Sequence, residues 1–112
     1  MAKYETELAG DFGGVLSLLE YSIQESGGSV ELVDRTDYDL GDTRVAVRVY
    51  DRYYFRTASR ASLTLTVVGH GDRVMVSAIG AGGGNGIIVN MDWGSEENIV
   101  RLVEESLQKY LS

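Results

Sequence analysis

The sequence predicts an α+β domain: a curved antiparallel sheet of five or six strands with an N-terminal and a C-terminal helix on one face, in the order β-α-β4/5-α. Three observations carry this expectation. Apolar and polar residues alternate with period two almost throughout residues 29–93. Helical periodicity appears only near the two ends, over residues 12–23 and 99–111. Glycine-centred turns separate the alternating segments, and the chain contains no proline. At 112 residues, one globular domain over 1–112 is expected, large enough for a core without cross-links.

In the first segment Ala2, Tyr4, Thr6 and Leu8 alternate with Lys3, Glu5 and Glu7, an amphipathic strand that Gly10 breaks. Asp11 is placed to cap a helix whose apolar face is Phe12, Val15, Leu16, Leu19 and Ile23. Gly13 and Gly14 weaken its first turn by about 1 kcal/mol each. Gly27 and Gly28 stop it. Val30 and Leu32 open the next segment, Ser29–Asp39, whose half-polar composition leaves its extent as a full strand open. Leu40, Gly41 and Asp42 turn into a strand over 44–55, and residues 57–60 supply the following turn. Leu63, Leu65 and Val67 then alternate with Ser62, Thr64 and Thr66. Gly69, His70, Gly71 and Asp72 turn into residues 73–81, and a glycine-rich loop over 80–86 leads to a last strand over 87–93. Ser95 is placed to cap a closing helix, with Glu96 and Glu97 near its positive end and Ile99, Val103, Leu107 and Leu111 on one stripe. Four meander strands would leave the last antiparallel to the first strand of the chain, and five would leave it parallel.

The run Arg-Val-Ala-Val-Arg-Val-Tyr-Asp-Arg over 44–52 has the sharpest alternation. Val45, Val47 and Val49 share one face, Arg44, Arg48, Tyr50 and Arg52 the other. Apolarity assigns the valines, together with Leu65, to the core and the arginines to an outward stripe. That stripe holds three of the ten Lys and Arg residues of a chain with net charge −7. Guanidinium forks suit carboxylate or phosphate groups, and a tyrosine beside them adds a flat surface. Arg44, Arg48, Tyr50 and Arg52 are therefore the candidate ligand-binding residues, against the plainer reading that they pair with nearby acids and keep the sheet soluble.

Other motifs point to less. The glycine loop lacks the following helix and the Lys or Ser/Thr that a phosphate cradle needs. Asp34, Asp37, Asp39 and Asp42 fail the calcium-loop pattern, with Gly41 in a ligand position and Arg48 where the bidentate Glu belongs. His70, the only histidine, lies in a turn beside Asp72 without an evident nucleophile. No catalytic residue, metal site or cofactor is expected. With no cysteine there are no disulfides, and a cytoplasmic location is expected in the absence of a signal-like N-terminus or an apolar run of membrane length. The acidic charge argues against nucleic acid and anionic membranes as partners.

Three stretches, Met-Ala-Lys-Tyr-Glu with Leu-Ala-Gly-Asp-Phe, Val-Ala-Val-Arg-Val-Tyr-Asp-Arg-Tyr, and Val-Val-Gly-His-Gly-Asp with Ser-Ala-Ile, resemble a family of small bacterial proteins known only as a domain of unknown function. The resemblance implies no activity, cofactor or catalytic residue. The element order is similar to the TATA-binding-protein-like architecture and, more distantly, to the helix-grip fold, an analogy of fold alone. The function expected is a non-enzymatic binding or protein-interaction module, self-associating or holding a small anionic ligand through the exposed sheet face around Arg48 and Tyr50. The alternative is a small-ligand carrier or minor enzyme with a cavity lined by Tyr4, Leu19, Val47, Leu65 and Trp93.

Overall fold

A computed structural model describes residues 2–27, 29–55, 58–82 and 95–111. Strand β1 (Ala2–Ala9) leads into helix α1 (Phe12–Gln24); strands β2 (Ser29–Asp39), β3 (Thr43–Tyr54), β4 (Ser59–His70) and β5 (Arg73–Gly82) follow, and helix α2 (Ser95–Leu111) closes the order. The fold is α+β, with five strands in the order β1-β5-β4-β3-β2 and every neighbouring pair antiparallel. β2 to β5 thus form a four-strand meander, and β1 joins its β5 edge. The strand expected over 87–93, most of the glycine loop and the capping side chain of Ser95 lie outside the described residues. Gly80 and Gly82, assigned to that loop, belong to β5.

Local chemistry accounts for the ends of these elements. The Asp11 carboxylate accepts a hydrogen bond from the Gly14 amide at 2.8 Å, satisfying one free donor of the first turn of α1. Gly27 follows α1 at φ +90°, a conformation open to glycine. A two-residue turn joins β4 to β5, with Gly71 at φ +61°. β2 is a full strand in spite of its polarity, interrupted by a register shift between Leu32 and Asp34 that leaves Val33 as an extra residue.

Both helices cover one face of the sheet. Val15, Leu19 and Ile23 of α1 and Ile99, Val103 and Leu107 of α2 meet Leu63, Leu65 and Val67 of β4 and Val74, Val76 and Ala78 of β5 in one buried cluster. Leu111, expected on the apolar stripe of α2, is exposed.

The face assignment of β3 is reversed relative to the sequence expectation. Residues paired across antiparallel strands share a face, and the β3–β4 register sets Arg48 opposite Leu65 and Val47 opposite Thr66. Arg48 and Tyr50 are buried at 2% and 1% exposure, with Ala46 beside them, whereas Val45, Val47 and Val49 are half-buried on the uncovered face. Val47 is therefore not a core residue, and Leu65 is. The guanidinium goes inside because α1 brings Glu20 to meet it, and a paired, hydrogen-bonded charge tolerates burial. The valines suit the open face because β-branched side chains fit a pleated, half-buried surface.

Candidate functional site

Arg44, Arg48 and Arg52 stand four residues apart on the covered face of β3, about 13 Å per step. At about 1.5 Å per residue, a helix alongside passes one such step in roughly nine residues. α1 runs along β3 in this way. The Arg44 guanidinium lies 4.6 Å from the centroid of the Phe12 ring, at the first residue of the helix. Arg48 reaches Glu20 in its second half, and Arg52 reaches Ser26 just past its end. The expected stripe exists as one row, but it faces the helix and works first as its seat.

Arg48 is the most connected member. Its Nε donates to Glu20 Oε2 at 2.6 Å and its Nη2 to Asp37 Oδ1 at 2.9 Å, while Nη1 donates to the carbonyls of Val47 at 3.0 Å and Thr36 at 3.4 Å. One side chain thereby ties α1 to β2 through β3. Burial alone would lower the pKa of this guanidinium; the hydrogen bonds of Glu20 and Asp37 overcome that effect and raise it. The Asp37 carboxyl is held below its ordinary range, first by its hydrogen bond from Arg35 at 2.9 Å, against opposing desolvation, and further by Arg48. Burial pushes the Tyr50 phenol up, and the charge of Glu20 adds to it.

Arg52 donates from Nη1 to Ser26 Oγ at 3.0 Å and from Nη2 to the Ser26 carbonyl at 3.4 Å, placing a cation at the negative end of α1. Its guanidinium also lies 4.7 Å from the Tyr54 ring centroid, and its buried Nε has no hydrogen-bond partner among the described residues.

Beside this row a cleft of about 390 Å³ opens between α1 and the β2–β3 hairpin. Phe12 and Leu16 give it an apolar wall, and Arg44 and Arg48 lie at its β3 side. Its charges balance: Arg35, Arg44 and Arg48 against Glu20, Asp37 and Asp39. Phe12, Glu20, Asp37 and Asp39 were not picked out by sequence as parts of a binding site. A usable signal for Glu20 is its place four residues after Leu16 and eight after Phe12, on one helix face.

The four aspartates do not gather. Asp34 caps the Arg35 amide, Asp37 pairs with two arginines, Asp39 accepts from the Gly41 amide, and Asp42 lies at the turn beside Thr43. Among the described residues no group of three or more His, Asp or Glu is placed to hold a metal ion. His70 is exposed, with Nδ1 2.9 Å from Thr43 Oγ1. The cavity expected from Tyr4, Leu19, Val47 and Leu65 does not form, since Val47 is on the opposite face and Leu19 and Leu65 are packed in the core; Trp93 lies outside the described residues. No helix among the described residues is long and apolar enough to cross a membrane.

The model of a family of unknown function, DUF6054, matches residues 1–111, and the chain belongs to that family. No curated protein matches it. Among solved structures it is similar to TTHA0849 from Thermus thermophilus, at 12% identity over 99% of each chain with a TM-score of 0.31, a likeness too slight to bear on fold or function.

Proposed function

We propose that this member of a family of unknown function is a non-enzymatic interaction module, cytoplasmic, that self-associates through the uncovered face of its sheet. One observation carries the reading: across β3, β4 and β5 that face presents Val45, Val47, Val49, Val68 and Ile79 with Thr64 and Thr66 among them, and both helices lie on the other side. Contiguous apolar surface of this kind marks contact sites. On β1, β3, β4 and β5 its charged groups are matched, Glu7 with Arg73, Lys3 with Glu5 and Asp51 with Arg60, while Glu31 and Asp34 share the face along the β2 edge.

The occupant that fits is a second copy of the chain. A protein of net charge −7 repels its own copies except where the local charge is nil, as at the centre of this face. Five strands at about 4.8 Å spacing and some 30 Å length offer roughly 700 Å² per partner, close to a standard interface. Two such faces can stack about 10 Å apart with their β-branched side chains interleaved.

Sedimentation velocity over a range of concentrations tests this. The parent is expected to dimerise, and Val47→Lys and Thr66→Lys to sediment as monomers with circular dichroism unchanged. A parent that stays monomeric at all concentrations, or variants that dimerise like the parent, would overturn the reading.

A further inference from the structure

The cleft beside α1 lies on the opposite side of the sheet from the proposed interface and has chemistry of its own. Of its six charged side chains, four are already committed: Arg48 to Glu20 and Asp37, and Asp37 also to Arg35. The remaining two, Arg44 and Asp39, face each other in the β2–β3 register, yet neither has an ion-pair partner among the described residues. One Asp39 oxygen accepts from the Gly41 amide at 3.0 Å, and the other is left for a ligand. The Arg44 guanidinium carbon lies 4.6 Å from the centroid of the Phe12 ring, which sets the cation beside the apolar wall of the cleft. An uncommitted cation, an uncommitted anion and an apolar wall of Phe12 and Leu16 thus border one space of about 390 Å³.

We infer that this cleft binds a small zwitterion of the amino-acid class with an apolar side chain. Its carboxylate takes the fork of Arg44, its ammonium takes Asp39, and its side chain lies against Phe12 and Leu16. The balanced lining selects for a ligand without net charge. A phosphate dianion would meet Glu20, Asp37 and Asp39 across the same small space, and three carboxylates disfavour it. A simple carboxylate would leave Asp39 unanswered, and a simple amine would leave Arg44 unanswered.

Titration of the full chain with L-leucine, L-methionine and L-phenylalanine, followed by amide chemical shifts, tests the inference. Isovalerate, isoamylamine and inorganic phosphate are the comparison probes. At least one amino acid is expected to bind with Kd of about 1 mM or tighter. Shifts are expected at Phe12, Leu16 and Arg44, and the comparison probes should bind at least about tenfold more weakly. Arg44→Gln and Asp39→Asn, both at exposed positions, should each weaken binding by about tenfold or more while the fold is retained by circular dichroism. Absence of binding by all three amino acids, tighter binding of phosphate or isovalerate, or amino-acid binding that survives both substitutions would overturn it. Because Val47→Lys and Thr66→Lys leave the cleft untouched, loss of the dimer in those variants bears only on the interface.

Discussion

Arg48 stands directly opposite Leu65 in the β3–β4 register, and both side chains are buried on the face the helices cover. A guanidinium and a leucine share that interior because Glu20 comes down from α1 and Asp37 across from β2 to complete the arginine. The pair orients the whole sheet, since it decides which residues of β3 face the helices.

Removing the charge while leaving its partners should be costly. Arg48→Ala leaves Glu20 without its cation and Asp37 with Arg35 alone, and breaking a buried network costs about 3–5 kcal/mol. The lower end is expected, because the two carboxylates keep 34% and 46% of their side-chain surface in water. Arg48→Met preserves much of the volume and should cost less, and adding Glu20→Gln to it should restore part of the loss. Urea denaturation of the three variants checks this; equal midpoints for Arg48→Ala and the parent would show that the network holds nothing together.

The two faces of the sheet can be told apart by truncation. Leu65→Ala opens a void in the core and should cost about 2–5 kcal/mol. Val47→Ala removes two half-wet methyl groups from the uncovered face and should cost about 1 kcal/mol or less. The comparison is made at protein concentrations low enough to keep the chain monomeric. Reversed costs would put the helices on the other side.

Much of the architecture was legible in the sequence because local signals agreed with one another. Asp11 before Phe12, the glycines at 27, 41 and 71, and the Leu/Val against Ser/Thr alternation of β4 each point to one outcome. β3 was misread because its two faces are both plausible: valines can be wet or dry, and arginines can be buried if something distant meets them. The decisive partner, Glu20, is 28 residues away in sequence, so no local pattern in β3 reveals it. Leu65, whose face is unambiguous, would have corrected the assignment once the β3–β4 register was known. The cleft was hidden for the same reason, being assembled from α1, β2 and β3 through long-range contacts.

Stability should fall at both ends of the pH range. The Asp37 carboxyl is depressed below its ordinary 3.8 by Arg35 and Arg48, so its contribution is complete above that value and is lost as pH falls through the lower folded pKa. Asp37→Asn should be less stable at neutral pH yet lose less on acidification below about pH 4. At the alkaline end, burial raises the phenols of Tyr50 and Tyr54 above 10.0; ionisation in the unfolded chain then removes stability as pH rises past that value. Tyr50→Phe should flatten the alkaline limb. Thermal melts from acid to alkaline pH check both limbs, and parallel profiles for parent and variants would refute the assignment.

Phe12 sits against Gly69, and that contact sets the floor of the cleft. Gly69 lies opposite Arg44 in the β3–β4 register, and a Cβ placed on it would come within 2.7 Å of the Phe12 side chain. The missing side chain lets the first residue of α1 drop onto the sheet, with the Arg44 guanidinium 4.6 Å from the centroid of the ring. Gly69→Ala should therefore push Phe12 outward and cost about 1–3 kcal/mol through overpacking. Phe12→Ala should cost about 3 kcal/mol from lost burial and the void it leaves. In the double variant the new methyl group occupies space the ring has vacated, so the combined loss should be smaller than the sum by about 1 kcal/mol or more. Denaturant midpoints of the four proteins provide the cycle. Strict additivity would mean that the two residues do not touch, and that the opening of the cleft is set by some other contact along α1.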